Sequence, residues 1–177
     1  MIIIVEGTDG VGKTTLTKEI ANNFNFKYYK EDITYQERLS SDYNGFEHYF
    51  KLLQSLYLSK ENIICDRLHL GEFVNPLIYK DGRSPLTVKE ISEIEFHIRD
   101  NAILIGCFTD IDFIKNSLTF RGDDVAKAEN IKYMIFLYDL VINDISTIKN
   151  KILWDLQKDK YYDKIFEKIN FLLKKNN

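Results

Sequence analysis

An unbroken run, Gly7-Thr8-Asp9-Gly10-Val11-Gly12-Lys13-Thr14, matches the pattern G-x-x-x-x-G-K-[ST]. Glycines at those positions let the backbone wrap a polyphosphate with its N–H groups. The lysine reaches the β- and γ-phosphates, and the Thr14 hydroxyl is a hard oxygen ligand for Mg²⁺. A chance match in a chain of this length is on the order of one in a hundred. The motif needs a strand before it and a helix after it. Met1 to Val5 reads as a buried strand, and Leu16, Ile20 and Phe24 have helical spacing. ATP and Mg²⁺ are therefore expected, with Gly7, Thr8, Asp9, Gly10, Val11, Gly12, Lys13, Thr14 and Thr15 around the nucleotide.

Three further groups could act on phosphates. The apolar run Ile63-Ile64-Cys65 ends abruptly in Asp66-Arg67. An arginine fork there can bridge donor and acceptor phosphates, while Asp66 holds Mg²⁺ through water and orients the fork; a plain ion pair at a strand end is the other reading. Arg121, in Thr119-Phe120-Arg121-Gly122-Asp123-Asp124, precedes a long helix and could close over a transferring phosphoryl group. Lys115 and Lys127 are the other cations nearby, and Asp123 and Asp124 read as loop and cap residues. After the second strand comes Tyr28-Tyr29-Lys30-Glu31-Asp32, where Lys30 could take an acceptor phosphate and Glu31 a hydroxyl. His69 and Glu72, one helical turn apart, could also reach an acceptor, or form an exposed polar pair.

The phosphate loop V-E-G-T-D-G-V-G-K-T-T resembles that of the thymidylate kinases, and the Asp-Arg strand end resembles theirs too. The resemblance implies that Asp9 contacts the 3′-hydroxyl of a deoxyribose and that Lys30 stands where the family has an arginine. It also implies a lid near residues 115–128 bearing Arg121, a tendency to homodimers, and base recognition by aromatics on the helix before the Asp-Arg strand. This helix offers Tyr43, Phe46, Tyr49, Phe50 and Tyr57; Phe46, Tyr49 and Phe50 are the candidates for the acceptor pocket, although such a stripe also suits a core. No arginine lies between Leu39 and Asp66, so Lys51 or Gln54 would have to replace the family's base-reading arginine. After Arg67 the chain departs from the family, and D-R-L-H-L-G-E-F-V is similar to small phage-type nucleotide kinases. The expected activity is transfer from ATP to a deoxynucleoside monophosphate, dTMP-like. Catalysis would fall to Lys13, Asp66, Arg67 and Arg121, acceptor binding to Asp9, Lys30, Glu31 and Arg67, and metal binding to Thr14 and Asp66. A deoxynucleoside kinase with Glu31 as base is the alternative, and a nucleotide-dependent switch has no N-K-x-D guanine reader to support it.

These residues need a scaffold that gathers strand ends. Apolar runs at Met1–Val5, Phe26–Tyr29, Asn62–Asp66, Ala102–Phe108 and Lys151–Asp155 alternate with helical patterns near Tyr43–Leu58, Val88–Asp100, Ala126–Asp144 and Tyr161–Leu173. That alternation predicts an α/β/α sandwich on a five-stranded parallel sheet, with the ligand at the strands' carboxyl ends. With 177 residues, two prolines and eight glycines, one domain over 1–177 is expected. A net charge of −3 gives no general attraction to polymeric nucleic acid or an anionic membrane, so a small-molecule nucleotide is the expected partner. The N-terminal run lacks a basic region and passes straight into the phosphate loop, which points away from a signal peptide and towards the cytoplasm. Cys65 and Cys107 are expected to be buried, not redox-active.

Overall fold

The computed structural model describes residues 1–31, 38, 40, 42–79, 84–122, 128–159 and 161–175. Five strands, β1 (Ile2–Gly7), β2 (Lys27–Tyr29), β3 (Ile63–Asp66), β4 (Ala102–Phe108) and β5 (Asn150–Asp155), form one parallel sheet in the order β2-β3-β1-β4-β5. The α-helices among the described residues are α1 (Lys13–Phe24), α2 (Gly45–Leu58), α3 (His69–Tyr79), α4 (Val88–Glu95), α5 (Ile111–Arg121), α6 (Ala128–Leu140) and α7 (Asp163–Lys175). A π-helical turn, Val141–Ile145, follows α6. None of these helices is long and apolar enough to cross a membrane.

β1 lies at the centre, paired with β3 on one side and β4 on the other. Its six residues are all buried, as a strand covered on both faces requires. The alternation of side chains along the strand divides the core in two. Ile2 and Ile4 face Tyr49 and Leu53 of α2, Leu70 and Val74 of α3, and Tyr138 of α6. Ile3 and Val5 face Leu16 and Ile20 of α1, Ile114 of α5, and Ile165 and Ile169 of α7. The sandwich expected from the alternation of elements is the one observed, and Cys65 and Cys107 are both buried in it.

Local signals explain several helix ends. Asn44 accepts from the Glu47 amide to start α2, and Thr87 and Glu90 form the capping box that starts α4. α4 is shorter than its pattern predicts: it stops at Glu95, and residues 96–101 are turns leading into β4. Two helices stand where the sequence predicts none. α3 runs through Gly71 and Pro76, residue types unfavourable inside a helix, because Leu70 and Val74 are fully buried against the sheet. α5 replaces the first half of the expected lid loop. Asp110 caps it by accepting from the Phe113 amide at 2.7 Å, Ile114 and Leu118 anchor it, and Gly122 ends it at φ 73°. Residues 115–121 are therefore helix, whereas Asp123, Asp124 and Lys127 lie outside the described residues, as does Asp32.

Candidate active site

The carboxyl ends of β1 and β3 converge on a cleft of about 500 Å³. β1 delivers the phosphate loop. Gly7 leaves the strand at φ 144°, and a side chain there would collide with the Cys107 carbonyl of β4. Gly12, at φ 81°, is the N-cap of α1 and offers no side-chain cap. The first turn of α1 also holds no acidic residue, so its free N–H groups and positive dipole end remain available to an anion.

Lys13 is buried, and its ammonium donates to the Thr8 carbonyl within the loop. Burial, reinforced by the Arg67 charge, pulls its pKa down to about 8. The Thr14 hydroxyl donates to Asp66 Oδ2 at 2.6 Å, and the Tyr28 hydroxyl donates to the same oxygen at 3.0 Å. Burial and the Asp66 charge push the Tyr28 phenol up to about 12, so it stays a donor. Thr14 and Asp66 are thus adjacent hard oxygen donors. That set suits Mg²⁺, which takes one or two protein oxygens and fills its octahedron with waters and phosphate oxygens. Among the described residues no group of three or more His, Cys, Asp or Glu side chains could hold a metal.

Arg67 has a left-handed backbone, φ 68°, a conformation that costs a non-glycine residue about 1–2 kcal/mol. Its N–H still completes the ladder by donating to Val5 O at 3.0 Å, and the turn swings the side chain towards the phosphate loop, where the guanidinium pairs with Asp9. Desolvation opposes ionisation of Asp9, but Arg67, Lys13 and Arg121 outweigh it and hold the carboxyl below its ordinary range. Arg121, at the end of α5, also lines the cleft and donates to Ser117 at 3.1 Å. Lys30, exposed just past β2, lines the same cleft beside Thr14 and Asp66. Lys13, Lys30, Arg67 and Arg121 therefore surround one space.

A second polar cluster is built around Glu31. Tyr49 donates to its Oε2 at 2.7 Å, His48 meets Oε1 at 2.5 Å, and Arg38 reaches Oε2 at 3.1 Å. The other arm of Arg38 reaches Glu72 of α3 at 2.5 Å. Arg38, His48 and Tyr28 are absent from the sequence expectations. Arg38 falls one residue outside the stretch in which a base-reading arginine is sought, and no spacing links it to Glu72, 34 positions away. Lys51 does not replace it, being exposed and paired with Glu47.

Other expected residues lie away from the cleft or in different surroundings. Phe46 and Phe50 pack against each other with their rings tilted by 37° and border a groove with Phe96 and His97 of the α4 region, while Tyr49 is fully buried beside Glu31. His69 and Glu72 do not form an exposed pair. His69 is fully buried against Glu95 at 2.9 Å, and Glu72 is buried against Arg38. Glu95 in turn accepts from Ser146 and Thr147, and although burial raises its pKa, these donors and His69 bring it below the ordinary carboxylate value.

No protein-family model matches the chain. Over 59 residues, 33% of this chain, it is 41% identical to the deoxyadenosine/deoxycytidine kinase of Bacillus subtilis, and that stretch amounts to 27% of the relative. The YorR protein of Bacillus subtilis, crystallised in complex with phosphorylated GDP, superposes with a TM-score of 0.78 at 26% identity, covering 98% of this chain and 96% of YorR. The deoxyadenosine kinase of M. mycoides with its products dCMP and dCDP superposes with a TM-score of 0.61 at 20% identity, covering 96% and 99%. The chain has the fold of the P-loop kinases.

Proposed function

We propose that this chain transfers the γ-phosphoryl group of ATP to a deoxynucleoside monophosphate. The observation that carries the reading is the convergence of Lys13, Lys30, Arg67 and Arg121 on one cleft above the phosphate loop. A triphosphate alone is served by the loop amides, Lys13 and the α1 N-terminus; two or three further cations suit a second phosphate facing the first.

In this reading the loop and Lys13 hold the β- and γ-phosphates. Thr14 and Asp66 would hold Mg²⁺, which would supply neutralisation of the phosphate charge. Arg67 bridges donor and acceptor, Lys30 takes the acceptor phosphate, and Arg121 approaches the transferring group from α5. Asp9 orients Arg67 or meets the sugar hydroxyl of the acceptor. An oxygen of the acceptor phosphate attacks the γ-phosphorus as the bond to the β,γ-bridging oxygen breaks, giving ADP and a nucleoside diphosphate. The attacking oxygen is already an anion, so no general base is needed, and the work of the protein is positioning and charge stabilisation.

A second reading is favoured by one observation, the carboxylate of Glu31 at the end of β2. A deoxynucleoside acceptor must lose its 5′-hydroxyl proton, and Glu31 would accept it; the similarity to deoxynucleoside kinases supports this alternative. Against it, both Glu31 oxygens are engaged by Arg38, His48 and Tyr49. The test is incubation with Mg-ATP and a panel of deoxynucleosides and their monophosphates, dTMP first. Diphosphate formed from a monophosphate supports the leading reading. Phosphorylation of nucleosides alone replaces it with the second, and ATP turnover with no acceptor product rejects both.

A further inference from the structure

Glu6 has no role in the reading above, yet it is the most unusual group beside the cleft. It is the penultimate residue of β1, directly before the phosphate loop, is fully buried, and carries one side-chain oxygen, Oε2, with no hydrogen-bond partner among the described residues. Its other oxygen does specific work. Oε1 accepts from the Leu68 amide at 2.9 Å and from the Gly71 amide at 3.4 Å. Leu68 directly follows the left-handed Arg67, and both amides lie at the start of α3, where N–H groups have no partner within the helix. β1 thus supplies from across the sheet the cap that the residues beginning α3, Leu68 and His69, cannot supply.

The other oxygen is also placed, not idle. A β-carbon added to Gly71 would stand 3.5 Å from Glu6 Oε2, 3.5 Å from the Tyr138 hydroxyl and 3.7 Å from the Asn75 amide nitrogen, so these groups from β1, α6 and α3 gather at one glycine. Tyr138 is fully buried and donates to Asn75 at 3.4 Å. Desolvation opposes the Arg67 charge, but Tyr138, Asp9, Glu6 and Asp66 together hold the Arg67 guanidinium above its ordinary pKa. A fully buried carboxylate is expensive to maintain, and a neutral residue could fill the same volume.

We propose that Glu6 is a positioning residue that fixes the Arg67–Gly71 turn, so that the guanidinium of Arg67 is presented to the phosphates at one orientation, with Tyr138 bracing the same point. This rests on the assignment of Arg67 as the phosphate-bridging cation. A residue acting only through Arg67 loses its importance once Arg67 is gone, whereas a merely structural residue does not.

The experiment is a double-mutant cycle in kcat on the acceptor found above. Glu6→Ala is expected to lower kcat about 30-fold with little change in ATP KM, and to add less than about 3-fold in an Arg67→Ala background. Multiplicative losses, or no loss in the single variant, overturn the proposal. Should the alanine form not fold, Glu6→Gln and Tyr138→Phe enter the same cycle with smaller expected losses and the same criterion. A second readout needs no turnover: the Arg67 Nε–H resonance, assigned by its disappearance in Arg67→Lys, should shift or broaden in the Glu6 variants. An unmoved resonance overturns the proposal. A wild-type protein that phosphorylates none of the acceptors overturns the proposed function instead, and leaves the resonance to decide the role of Glu6.

Discussion

Replacing Lys13 with methionine should make the protein more stable while ending phosphoryl transfer. Lys13 is only 6% exposed, and its pKa falls from an ordinary 10.5 to about 8 because burial penalises the ammonium. A fall of that size corresponds to about 3 kcal/mol set against the folded state at pH 7. Methionine keeps most of the stem packing but deprives the Thr8 carbonyl of its donor, returning about 1 kcal/mol. The net gain is about 2 kcal/mol, or roughly 4–8 °C in Tm for a domain of this size. The sign depends on pH. Below pH 8 lysine is protonated in both states and the full penalty applies. Between pH 8 and 10.5 the unfolded chain holds a proton that the folded chain has released, so wild-type stability rises relative to the variant and the gap closes. Thermal unfolding of both nucleotide-free proteins at about pH 7 and about pH 10 checks this. A Lys13→Met variant no more stable than wild type at the lower pH, or a gap indifferent to pH, refutes the reasoning.

Arg67→Ala should lower kcat by on the order of 10³-fold, the scale of a lost charge-stabilising contact; an unchanged kcat in a coupled ADP-release assay removes Arg67 from the mechanism. Arg121→Ala should lower kcat more than ATP affinity, and an effect confined to affinity in equilibrium binding would make it a ground-state contact. Gly7→Ala places a β-carbon against the backbone oxygen of Cys107 at φ 144°, where neither side can yield. It should cost more than about 3 kcal/mol, read as a loss of Tm, and a variant within about 2 °C of wild type would show that the strand end adapts.

Residues next to one another in sequence, or periodic along it, were legible. The phosphate loop, the Asp66-Arg67 strand end and the five strands follow from local pattern, because a buried parallel strand must be apolar throughout and a polyphosphate cradle must have glycine at fixed positions. Pairings across the fold were not. Nothing local joins Glu31 to Arg38 and Tyr49, or Glu6 to the amide of Leu68. The two unforeseen helices fail for a related reason. Gly71 and Pro76 are locally unfavourable in α3, and tertiary burial of Leu70 and Val74 outweighs them. In α5 the signal is local, an Asp110 cap followed by Ile114 and Leu118 at helical spacing, and it overlaps the stretch 115–128 in which the family resemblance implies a lid. The aromatic stripe of α2 shows a different limit: its period correctly implies a helix, yet period alone does not say that Tyr49 is fully buried while Phe46 and Phe50 border a surface groove.

One electrostatic regularity joins the phosphate site to the Glu31 cluster. Lys13 is held by the Thr8 carbonyl, Arg67 by Asp9, and Arg38 by Glu31 and Glu72. In the proposed reading, a bound phosphate or sugar displaces or shares the internal partner of each of these cations. The partners differ in what that displacement costs. Asp9 is exposed and Arg67 about a third exposed, so water can solvate Asp9 when Arg67 turns to a phosphate, and the pair is worth little by itself. Glu72 is buried, and separating it from Arg38 would leave an unpaired buried charge at a cost of several kcal/mol. In the proposed reading Arg67 can therefore exchange Asp9 for a phosphate while Glu6 holds its backbone turn in place, whereas Arg38 keeps its buried partner and belongs to the wall. This asymmetry can be measured without identifying the acceptor. Asp9→Asn should leave Tm within about 2 °C of wild type, since it loosens only an exposed pair, while Glu72→Gln should lower it by more than about 4 °C. Equal effects from the two substitutions would mean that the two pairs are equally fixed, and that the distinction between a partner-exchanging phosphate cation and a wall cation is wrong.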